Sequence, residues 1–154
     1  MEILNGLVLV VIAVFAAGCV SDRGGPQAFA IRRLEKGSHS GVIEPRQVVN
    51  KDEAGWRRLW GEHQPPGQPA RPLPEIDFTK EMVILVAMGQ RFSGGFTIEI
   101  EKVETSRGRL TIFVRRQAPP PGAMVTQALT APFEIVAVPR SDLPPQFVES
   151  EEVR

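Results

Sequence analysis

The chain has 154 residues and 42% hydrophobic side chains, which fits one domain with a packed core and short tails. Lys plus Arg and Asp plus Glu both number 18, so there is no net charge and no basic block to draw the chain to nucleic acid. The 14 Gly and 14 Pro favour a turn-rich β architecture, and a single cysteine, Cys19, excludes an intrachain disulfide and a cysteine-rich metal site.

Leu7 to Ala17 is an apolar run shorter than the roughly 20 residues of a membrane-spanning helix. With the small residues after it, the run predicts the core of a secretory signal. Phe15-Ala16-Ala17-Gly18-Cys19 resembles a bacterial lipobox. The resemblance implies removal of residues 1–18 and a lipid on Cys19. It also implies an extracytoplasmic, membrane-anchored lipoprotein, placed in the outer membrane of a two-membrane cell because Val20 is not Asp. Two or more acyl chains anchor stably, at about 0.8 kcal/mol per buried CH₂. Glu2, with no Lys or Arg before Leu7, departs from the usual basic leader. Residues 19–29 read as a flexible tether, being polar and Gly-rich around Gly24-Gly25-Pro26.

A single β-rich domain is expected over residues 30–140. Phe29 to Leu34 reads as a first short strand, and Lys36 to Gly41 as a turn. His39 in that turn occupies the centre of Gly-Ser-His-Ser-Gly, where a nucleophile elbow needs Ser, so it carries no catalytic expectation. Val42 to Val49, with Pro45, predicts an edge strand. A helix is expected over about 51–63, with Asn50 as N-cap and Glu53 completing a capping box. Trp56, Leu59, Trp60 and His63 share one face of it, the face that packs on a sheet. The Pro-rich run Gln64 to Pro74 predicts a stiff connector.

Met82 to Met88 is apolar throughout, which predicts a central strand buried on both faces. Phe96, Ile98 and Ile100 alternate with polar residues, as do Leu110, Ile112 and Val114. Together they predict an antiparallel hairpin turning at Thr105 to Arg109. Ala118-Pro119-Pro120-Pro121-Gly122 breaks the sheet, and a last strand is expected over about 132–138. Residues 141–154 form a polar tail expected to fray. The predicted fold class is α+β, mainly β: an antiparallel, sandwich-like domain with one short amphipathic helix.

Three stretches carry a more specific signal. They are Glu75 to Ile84, Gly89-Gln90-Arg91-Phe92-Ser93-Gly94-Gly95-Phe96-Thr97-Ile98, and Met124-Val125-Thr126-Gln127-Ala128-Leu129-Thr130-Ala131-Pro132-Phe133. In order and spacing, residues 75–139 resemble the C-terminal domain of the PrcB family, protease-complex subunits of bacteria. Against that family's pattern, Phe92 replaces a Pro, Phe96 a Tyr and Ala123 a Cys. The resemblance implies a non-catalytic accessory subunit that stabilises, matures or tethers a secreted or surface protease.

Gly89 to Gly95 has the ends of a phosphate-loop spacing without its Lys-Ser/Thr, so phosphate binding is not expected. His39 and His63 are too few to build a metal site, and no cofactor is expected. Glu99, Glu101 and Glu104 read as a solvated face. No nucleophile–base grouping stands out, so no catalytic residue is named. Loops on a rigid sheet are the natural place for binding. The contact region expected here comprises Arg91, Phe92, Ser93, Gly94, Gly95, Met124, Thr126 and Gln127. Two alternatives remain: a loop-based protease inhibitor, since Ser93 to Phe96 is distantly similar to a chagasin-type loop, and an envelope structural lipoprotein with no protease partner.

Overall fold

The structure, a computed structural model, describes residues 25–153. The apolar leader, Cys19 and the start of the tether lie outside the described residues.

Among the described residues, two four-stranded sheets and one helix form three layers. In chain order the elements are β1 (Gln27–Ala28), β2 (Arg32–Gly37), β3 (Arg46–Asn50), α1 (Glu53–His63), β4 (Glu81–Ala87), β5 (Thr97–Ser106), β6 (Arg109–Ala118), β7 (Phe133–Pro139) and β8 (Pro145–Val153). The central sheet has the order β2-β7-β4-β3 and the outer sheet β1-β5-β6-β8. All neighbours are antiparallel except β6 with β8. This is the mainly β, sandwich-like fold with one short helix that the residue patterns predict.

The apolar run at Met82 sets the layering. β4 is interior to its sheet, and every residue from Met82 to Ala87 is buried. Alternation sends its side chains to two cores. Met82, Ile84 and Val86 join Ile98, Ile100, Val103, Leu110, Ile112 and Val114 between the sheets. Val83, Leu85 and Ala87 join Trp56, Leu59 and Trp60 beneath the helix. Each fully buried aliphatic side chain of this kind contributes about 1.5–3 kcal/mol.

The helix starts later than expected. Asp52, not Asn50, is the N-cap: its Oδ1 accepts the Gly55 N–H at 2.7 Å. Asn50 is still in the β3 ladder opposite Val83, so it is not free to cap. The expected face is the buried one, with Trp56, Leu59, Trp60 and His63 turned inward. Both indole N–H groups donate to the Pro-rich connector, Trp56 to the Pro74 carbonyl at 3.0 Å and Trp60 to the Arg71 carbonyl at 3.3 Å. Prolines lack an N–H but keep their carbonyls, so such a strap presents acceptors to the two indoles.

The hairpin forms as expected, with β5 and β6 joined through Arg107 (φ 50°) and Gly108 (φ 73°). Two positive φ values in a two-residue loop match the twist of the flanking strands. A register shift lies between Ile100 and Lys102. Opposite it sits Glu134, fully buried, whose Oε2 accepts the Ile100 N–H and whose Oε1 pairs with Arg33 Nε at 2.9 Å. The carboxylate thus supplies an acceptor beside the break in the ladder.

Three boundary expectations are corrected. The first long strand is Arg32–Gly37, so Lys36 and Gly37 are strand, not turn; Phe29 and Ile31 pack against the inter-sheet core before it. β3 begins only after Pro45, although it is the edge strand expected. The polar stretch expected to fray contains β8, which runs parallel beside β6 from Pro145 to Val153. Its charges gave no alternating pattern, but Arg116 and Gln47 both reach Glu149 and tie β8 in.

Candidate functional site

The two loops singled out from the sequence meet at one end of the sandwich. The first, 88–96, follows β4, and the second, 119–132, follows β6. Their backbones are locked in register. Arg91 N–H donates to the Thr130 carbonyl at 2.7 Å and Thr130 N–H returns to Arg91 at 2.9 Å. Gly94 N–H donates to the Thr126 carbonyl at 2.9 Å, and Thr130 Oγ1 donates to the Ser93 carbonyl at 2.9 Å. Two glycines permit the approach. A Cβ on Gly94 would stand 2.6 Å from Thr126 Oγ1. Gly95 holds φ +87° and would place a Cβ 2.9 Å from Pro119.

The side chains on this frame point outward. Phe92 is 85% exposed and Met124 wholly so, and Thr126 and Gln127 are exposed as well. Ser93 is half-buried and Gly94 buried, so these two shape the loop while Phe92 and Met124 present its surface. The structure therefore brings the two stretches that hold the predicted residues together at one end of the sandwich. It adds Leu129 and Ile43, each more than half exposed, and the buried Thr130. Ile43 arrives through its carbonyl, which accepts Gln90 N–H at 2.8 Å. No periodicity in the sequence connects residues 43 and 90.

Arg91 is the one charged residue in the two stretches 82–98 and 117–133. Its guanidinium carbon lies 5.6 Å from the Phe96 ring centroid, and its Nε is buried without an acceptor. Among the described residues it forms no ion pair.

A second polar cluster lies beneath the helix layer. His63 is fully buried, 4.2 Å from the Phe133 ring and 5.4 Å from Trp60. Ser40 Oγ stands 2.9 Å from its Nδ1, while Glu35 Oε2 and Arg71 Nη2 approach its Nε2 at 3.2 and 3.1 Å. Burial lowers the His63 pKa against the raising pull of Glu35, so the ring is held neutral. Ser40 is buried and its hydroxyl already accepts the Val42 N–H at 3.0 Å. The chain of groups ties β2, the 38–42 turn, the helix end and the connector together. His39, in the same turn, is exposed and meets only Ser38 Oγ.

The carboxylates expected to be merely solvated are paired. Glu99 bonds Arg115 and, at 2.5 Å, Lys36. The Arg115 bond, then the Lys36 bond, pulls its pKa to about 2. Glu101 also meets Arg115, at 3.1 Å, and Glu104 is buried and paired with Lys102.

No curated protein and no solved structure matches the chain significantly. The family model described as PrcB C-terminal matches residues 82–139, from the central strand through both loops to the end of β7. Residues 82–139 are thus recognised as a PrcB C-terminal domain, the family the sequence pattern resembles.

Proposed function

We propose that the chain is an extracytoplasmic lipoprotein, anchored through a lipid on Cys19, whose PrcB-type domain acts as a non-catalytic accessory subunit of a secreted or surface protease. The protease is the partner that the family resemblance implies. One observation supports binding by the loop end: Phe92 and Met124 stand exposed on two loops whose backbones are hydrogen-bonded to each other. Large apolar side chains on an ordered frame suit a preformed contact surface, because little conformational entropy is lost when they dock.

Affinity capture from detergent-solubilised native membranes, read by mass spectrometry, tests this function. The expected result is one protease recovered near stoichiometrically, still active when bound. In a Cys19→Ala chain the protease should remain bound while the complex leaves the membrane. Capture without any protease, or full inhibition of a captured protease, would contradict the accessory role.

A further inference from the structure

We propose that the partner presents an acidic, apolar protein segment to the loop end, with its carboxylate on Arg91 and its apolar side chains over Phe92, Met124 and Leu129. The proposal rests on the reading of these loops as the protein-binding surface and adds the chemistry of what they bind.

Charge carries the first part. The stretches 82–98 and 117–133 contain no carboxylate and one cation, Arg91. Among the described residues Glu44, next to Ile43, makes no ion pair with it. The Arg91 guanidinium is already held against Phe96, with its backbone fixed by both hydrogen bonds to Thr130. A carboxylate arriving there meets an ordered cation without a competing acid among the loop residues. Exposed Phe92, Met124 and Leu129 supply the apolar share of the contact.

The same facts discriminate between occupants. Two copies of this chain meeting face to face through the loops would bring two Arg91 cations together with no carboxylate from either loop pair. A lipid surface is disfavoured by direction. The described chain enters at the other end, where Gln27 pairs with Thr105 beside the Arg107–Gly108 turn. Ten-residue β5 separates that end from the loops by about 30 Å. An anchor upstream of Gly25 therefore holds the far end near the membrane and turns the loops outward.

Phage-displayed random peptides panned on the full chain in detergent test the proposal, using wild type, Arg91→Glu and the double variant Phe92→Ser/Met124→Ser. Unchanged unfolding temperatures establish that the variants fold. Wild type is expected to enrich peptides with Asp or Glu flanked by apolar residues. Arg91→Glu should enrich Lys or Arg in their place, and the double variant should enrich neither. A selected acidic peptide should bind Arg91→Gln about fivefold more weakly, the upper range for one exposed charge pair. Peptides lost on the double variant but without acidic bias would overturn the charge assignment while leaving the loops as the binding surface. Equal enrichment on the double variant, or none on wild type, would overturn both. A blue-shifted emission from Phe92→Trp on phosphatidylglycerol vesicles would overturn the proposal in favour of lipid. A dimer that the double variant abolishes would overturn it in favour of a second copy.

Discussion

Arg71 and Arg91 both lie outside regular structure, and both stack on an aromatic ring. Arg71 sits 5.4 Å from the Trp60 centroid and also reaches Glu35, Gln64 Oε1 and His63. Among the described residues the Arg91 side chain stacks on Phe96 and forms no ion pair, and its Nε is buried without an acceptor. The region around Arg71 is closed on itself: helix, connector and β2 satisfy one another. At the loop end the two backbones bond each other, while Phe92 and Met124 stand exposed and Arg91 Nε is buried without an acceptor. Buried polar groups in folded proteins are normally paired, and this contrast is what the proposed binding role of the loop end rests on.

The comparison predicts large stability effects on the Arg71 side and small ones at the loops. Trp60→Ala removes an indole from the helix–sheet core and unpins the connector. It should cost about 3–5 kcal/mol in denaturant unfolding. Glu134→Ala strands the Ile100 N–H between the sheets and should cost about 1–3 kcal/mol. A smaller loss there would show that water or a backbone shift replaces the carboxylate.

Acid should weaken the His63 cluster and the Glu99 pairs to Arg115 and Lys36. His63 and Glu99 hold pKa values below their unfolded ones. Their contributions are therefore present at higher pH and lost as pH falls. For His63 the loss begins below 6.5 and ends at its lowered folded value; for Glu99 it runs from 4.5 down to about 2. Unfolding temperature should fall on acidification across both windows. Lys36→Met should flatten the lower one, because Lys36 helps to hold the Glu99 carboxylate ionised. A Lys36→Met profile that overlays wild type below pH 4.5 would remove Glu99 from the account. Phe92→Ser with Met124→Ser is expected to have the smallest effect, within about 0.5 kcal/mol of wild type.

The sequence was most informative where a period of side chains maps directly onto burial. The unbroken run Met82 to Ala87 announced a strand with two buried faces, and Trp56, Leu59, Trp60 and His63 announced the helix face. Both loops were marked by glycines and by the family-like order of residues 89–98 and 124–133. Long-range pairings left no such trace. Ile43 joins the loop end through a single carbonyl, and Glu134 falls inside an apolar strand that gives no hint of its bond to Ile100. β8 was missed because only Phe147 of its side chains packs against the inter-sheet core, the rest of its hold being edge pairing to β6 and the Glu149 contacts, none of which leaves a periodic apolar pattern. Asn50 was misread as a cap because strand pairing to Val83 takes precedence over a local capping preference.

The central claim is that the loop end serves binding while the helix side serves stability. The Phe92→Ser/Met124→Ser chain tests it most directly, with unfolding temperature and protease recovery from native membranes measured on the same preparation. The account predicts an unchanged unfolding temperature and loss of the protease. Full recovery of the protease at unchanged stability would contradict it and move the contact surface elsewhere on the domain.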